Sequence, residues 1–86
     1  VVDLHRLIAT LSANRRLAAQ VEQINTELRL ARSRSGSTPA RAALALAEHE
    51  EIINHLAARD PEKAALAMRS HLSGSLANTL ALVYSP

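Results

Sequence analysis

Apolar residues recur every three or four positions along the chain, and no segment alternates apolar with polar at every second residue. That rhythm predicts helices and no strands. The first helix runs over residues 1–12, with Leu4, Ile8 and Leu11 on one side. Ser12-Ala13-Asn14 supplies turn and capping groups, and a second helix follows over 15–33. Its stripe is Leu17, Val21, Ile24, Leu28 and Ala31. Residues 33–38, rich in Ser and holding Gly36, read as the linker. Thr38-Pro39 then opens a third helix over 39–58, since a capping hydroxyl followed by proline is a helix start. Its inward stripe is Ala42, Ala45, His49, Ile52 and Leu56. Asp60-Pro61-Glu62 repeats the signal for a fourth helix over 61–84, with Ala65, Met68, Leu72, Leu76, Thr79 and Val83 inward. Gly74 and Ser75 weaken its middle and allow a bend or close packing. Short turns between long helices make neighbours antiparallel, so the expected fold is all-α, an up-down bundle of about four helices.

Composition sharpens this picture. The 86 residues suit one small domain spanning 1–86, and they include one Tyr, no Phe, no Trp and no Cys. A core of Leu, Ile, Val and Ala in so short a chain is marginal alone, and a partner subunit or a missing flanking segment is expected to complete it. Without Cys there is no disulfide framework and no thiolate metal site. The apolar runs are too short and interrupted to span a membrane. The formal charge is only +2, and Arg29, Arg32, Arg34 and Arg41 gather around the linker. With no aromatics between them to stack bases, they read as a solvated helix end and loop, not a nucleic-acid surface.

Candidate chemistry lies in three histidines. His49 precedes Asp60 by eleven positions and His71 follows it by eleven. In an antiparallel hairpin turning at Asp60 both therefore lie at one height, roughly 15 Å from the turn. His5, reflected through the turns near Asn14 and Gly36, lands near position 50, within about a turn of His49. Neutral imidazole is a preferred ligand of zinc, nickel and similar divalent metals, and three protein ligands leave a position open for a further ligand. The plainer alternative is that each is a hydrogen-bonded boundary residue. His55, six positions after His49, is expected to face solvent and is left out of the set.

Several short segments carry a resemblance. Leu4-His5-Arg6 followed by Leu11-Ser12-Ala13-Asn14 is similar to an "FH…SGN" segment, and Glu48-His49-Glu50-Glu51-Ile52 to an "EHxxI" segment. Asp60-Pro61-Glu62-Lys63-Ala64-Ala65 with Met68-Arg69-Ser70-His71-Leu72 is similar to a "D…A…MxxHL" ending. In this order they resemble the C-terminal effector domain of FadR-subfamily, GntR-type transcription regulators, the FCD domain. The resemblance implies a cytoplasmic homodimer that binds a small organic acid. It also implies, in many members, a divalent metal (zinc, nickel or manganese) held by one Asp and three His. The His positions fall on His5, His49 and His71, and the Asp position on Val1. Asp3 is expected to point away. Ala13 stands where the family has Gly, and Leu4 where it has Phe, both read as tolerated packing changes. The family's preceding helices and its N-terminal winged helix-turn-helix have no counterpart here, so a piece of a longer regulator is expected, with DNA bound only through that further domain.

Three function classes follow. The leading one is a ligand-sensing and dimerisation module; the second is a purely structural dimerisation bundle without ligand or metal. The third, a metal-dependent hydrolase, needs an acid or base beside the metal. Glu50 and Glu51 are expected to face outward, and Glu48 to support packing or a metal ligand, so an enzyme is not expected.

Overall fold

The computed structural model describes residues 3–35 and 38–84, without the side chains of 28–35 and 82–84. These residues form four α-helices, α1 (Leu4–Leu11), α2 (Arg15–Ser35), α3 (Pro39–Ala57) and α4 (Pro61–Tyr84), and no strand. The all-α class is as the periodicity requires. The chain divides into two compact units, Val1–Arg34 and Ser35–Pro86.

In the first unit, α1 starts three residues later than the sequence pattern suggests. Asp3 is its N-cap and accepts a hydrogen bond from the Arg6 amide. The other Asp3 oxygen accepts from Asn25 Nδ2 at 3.0 Å, and Arg6 pairs with Glu22, so polar bridges join α1 to α2. Asp3 thus has a capping role, and residues 1 and 2, which the sequence assigned to α1, lie outside the described residues. Between the helices Ser12 Oγ donates to the Ala9 carbonyl at 2.6 Å, and Asn14 Oδ1 accepts from the Leu17 amide as the cap of α2. Ala13 has φ 60°, in the left-handed region. Its replacement of glycine is therefore a backbone matter and not the packing change expected from sequence.

Helix α2 continues through Ser35, into the expected linker. Leu11 is 75% exposed, and Leu17 and Ile24 are exposed as well, although all three were expected inside. Ile8, Ala18 and Val21 are half-buried, and Ala9 is buried. The Leu28 and Ala31 side chains lie outside the described residues, as do Gly36 of the linker and the Val83 side chain.

The second unit is an antiparallel hairpin of α3 on α4. Both expected caps are present: Thr38 Oγ1 accepts from the Arg41 amide and Asp60 Oδ1 from the Lys63 amide. Between them the Arg59 amide donates to Leu56 O and the Asp60 amide to His55 O, with Arg59 at φ 58°. This is a Schellman ending, which closes the carbonyls left open at the α3 terminus. The packing stripe is shifted from the expected one. On α3 it is Arg41, Ala45, Glu48, Ile52 and His55, with His49 beside it, while Ala42 and Leu56 are exposed. On α4 it is Ala64, Ala67, Met68, His71, Gly74, Ser75, Asn78 and Thr79; of the expected stripe Met68 and Thr79 are half-buried, while Ala65, Leu72 and Leu76 are exposed. The bulky α4 stripe thus lies about one residue, roughly 100°, round from the face that meets α3. The physical reason is size: small side chains on α4 admit the Arg41, Glu48 and imidazole groups, which larger ones would displace. Ile52, only 1% exposed, is the best-buried large side chain of this seam. Gly74 interrupts nothing, since α4 runs on through it.

Candidate metal centre

His49 on α3 and His71 on α4 meet across the hairpin, at the common height that reflection through Asp60 requires. Their Nε2 atoms are 3.1 Å apart, and the rings stand edge to face with centroids 4.6 Å apart. His71 is 4% exposed and His49 half-buried. Two nitrogens on one zinc with bonds of about 2.0–2.1 Å lie roughly 3–3.5 Å apart, so this pair has the spacing of two ligands on one ion.

The far side of His71 is also held. Its Nδ1 lies 2.7 Å from Glu48 Oε1. Arg41 grips the same carboxylate with both ends of its fork, Nη2 to Oε1 at 2.9 Å and Nη1 to Oε2 at 3.3 Å. Arg41 Nη2 also donates to Ser75 Oγ at 2.9 Å and reaches the His71 carbonyl at 3.5 Å, tying α3 to α4. A Cβ at Gly74 would lie in ordinary van der Waals contact with this guanidinium, at 3.4 Å. The Arg41 hydrogen bond holds the Glu48 carboxyl below the usual carboxylate range; burial opposes this, and His71 adds to it. A carboxylate on one nitrogen of an imidazole whose other nitrogen faces a second imidazole is the usual support of a metal-ligating histidine. The donor chemistry present therefore fits a divalent ion.

Arg41 corrects the expectation of a solvated arginine cluster, because its side chain is only 11% exposed and turned into the hairpin. Its seven-residue spacing to Glu48 puts both on one helix face two turns apart, which was the available signal. Arg29, Arg32 and Arg34 have side chains outside the described residues. Glu50 and Glu51 are exposed as expected. His55 is half-buried at the edge of the shifted stripe and not fully solvent-facing, and it faces Glu51 at 3.6 Å. His5 lies on α1 in the first unit, half-buried.

The family model described as the FCD domain matches residues 2–74. The chain belongs to the FCD domain family. The match takes in α1, α2, α3 and the first half of α4, and so includes all three histidines. None of the curated proteins and none of the solved structures compared with the chain matches it.

Proposed function

We propose that this FCD domain is the ligand-sensing and dimerisation module of a bacterial GntR-type transcription regulator of the FadR subfamily. In this reading a divalent metal is held by His5, His49 and His71, and a small carboxylate effector takes a remaining position on it. The observation that carries the proposal is the His49–His71 pair, with ligand-like spacing and a carboxylate holding the buried ring from behind. The third ligand of this reading, His5, stands at the remaining histidine position of the family resemblance. The metal would supply an electrophilic anchor for the effector's oxygen atoms, and its choice among zinc, nickel and manganese would follow ligand number and geometry. With Val1 at the family's Asp position, three imidazoles would be complemented by water or effector oxygens.

Sensing needs no proton-transfer group, and Glu48 is suited to support because Arg41 and His71 already occupy its oxygens. The module is therefore not an enzyme in this reading. The effector acts by favouring one helix packing over another, and a homodimer passes that preference to DNA-binding domains. Leu66, Leu72, Leu76 and Leu80, all exposed along one side of α4, support the dimer.

Calorimetric titration of the metal-free chain with zinc, then with small di- and tricarboxylates, tests the proposal. One zinc per chain is expected, with carboxylate binding only to the loaded form. His49→Ala and His71→Ala should abolish zinc binding, and His55→Ala should leave it intact. A chain that takes up no zinc would refute the metal; uptake undisturbed by His49→Ala would refute the site.

A further inference from the structure

We infer that Glu48 and Arg41 form a positioning pair that fixes His71 as its Nδ1–H tautomer and so aims the Nε2 lone pair at the face shared with His49. The inference deepens the metal reading and rests on it for its consequence, although the tautomer itself belongs to the metal-free chain. A carboxylate can only accept hydrogen bonds, so at 2.7 Å from Glu48 Oε1 the His71 Nδ1 must carry the proton. In a neutral ring Nε2 is then left as the lone pair. His49 Nε2 lies 3.1 Å from it, and two lone pairs would repel at that distance. In the metal-free chain His49 therefore donates its own Nε2–H to His71.

Arg41 is what makes Glu48 a dependable acceptor. Its planar fork meets both carboxylate oxygens, and such bidentate pairing sets orientation as well as charge. Its further bonds to Ser75 Oγ and the His71 carbonyl fix the guanidinium to the same turn of α4 that carries His71. Gly74 completes the device. A Cβ there would already touch the guanidinium in ordinary van der Waals contact at 3.4 Å, so the added γ-carbons of a branched side chain at 74 are expected to crowd Arg41 against Glu48 without removing any participant.

The test uses the full chain with ¹⁵N-labelled histidine and long-range ¹H–¹⁵N correlation spectra at neutral pH without metal, beside zinc titrations. His71 should show a protonated Nδ1 and an unprotonated Nε2. Glu48→Ala should mix or reverse that tautomer and weaken zinc binding about ten- to hundredfold. Gly74→Val should move both readouts in the same direction. A wild-type His71 protonated on Nε2 overturns the inference whether or not Glu48→Ala folds. So does a loss of zinc affinity without a change of tautomer, which would mark Glu48 as merely structural. So does a changed tautomer with unchanged affinity. A wild-type chain that takes up no zinc but shows the Nδ1–H tautomer would refute the metal reading and leave the positioning pair standing.

Discussion

Glu48 is pressed between a guanidinium and an imidazole, and its depressed pKa gives the hairpin an acid-sensitive joint. A carboxyl whose folded-state pKa lies below its unfolded value of about 4.3 stabilises the fold fully above that value. The contribution is lost as pH falls through the depressed folded value, where the carboxylate finally protonates. The melting temperature should therefore fall on the acid side more steeply for the wild type than for Glu48→Gln. Parallel thermal melts between pH 7 and pH 3 check this, and superimposable acid limbs would show that the Arg41 pairing contributes nothing. Around the same joint, polar residues occupy positions that helix patterning reserves for apolar ones. That is why the sequence pattern groups Arg41 with the linker arginines: the hairpin partner that draws it inward is thirty or more residues away.

At the scale of elements, the helix starts were legible because each carries its own chemistry. Thr38 and Asp60 cap α3 and α4 where the dipeptides Thr-Pro and Asp-Pro predict. Asp3 is a capping residue type too, but Leu4 and not Pro follows it, and the apolar Val1 and Val2 before it extend the helical pattern. Helix faces were less legible. Periodicity finds the stripe of large apolar residues, and here Leu72 and Leu76 on that stripe are exposed while Ala64 and His71 are buried. Which stripe meets a neighbour depends on the partner's side chains, and no single helix encodes that. The heights of His49 and His71 needed only the rise per residue and the turn at Asp60, so their meeting was readable in advance. The turns hold a further consequence. Ala13 and Arg59 both adopt left-handed conformations, at φ 60° and 58°, which cost a side-chain-bearing residue roughly 1–2 kcal/mol. Part of that is returned by the greater unfolded-state freedom of glycine. Ala13→Gly and Arg59→Gly should each stabilise the chain by about 0.5–1 kcal/mol, raising its melting temperature by several degrees. A decrease on thermal melting would show that neither turn is strained.

For the molecule as a whole, the described residues bury few apolar side chains: Ala9, Ile52 and Ala64. Twelve large apolar residues stay exposed, from Leu7 on α1 to Leu80 on α4. A fold with so little buried apolar surface gains stability from covering more of it, which is the physical case for a homodimer. Light scattering of the purified chain should give the dimer mass. Leu72→Lys with Leu76→Lys should give the monomer without changing its zinc stoichiometry, since neither residue lines the His49–His71 pair. A wild-type chain that stays monomeric at high concentration would contradict the homodimer. The proposed three-imidazole centre makes the sharpest demand on the molecule, because it would take His5 as a ligand beside the His49–His71 pair of the α3–α4 hairpin. Zinc K-edge absorption spectroscopy of the loaded chain counts those ligands directly. Three imidazole nitrogens at about 2.0–2.1 Å are expected, with one lost in His5→Ala. Two imidazoles in the wild type, with a spectrum unchanged in His5→Ala, would contradict the three-histidine centre.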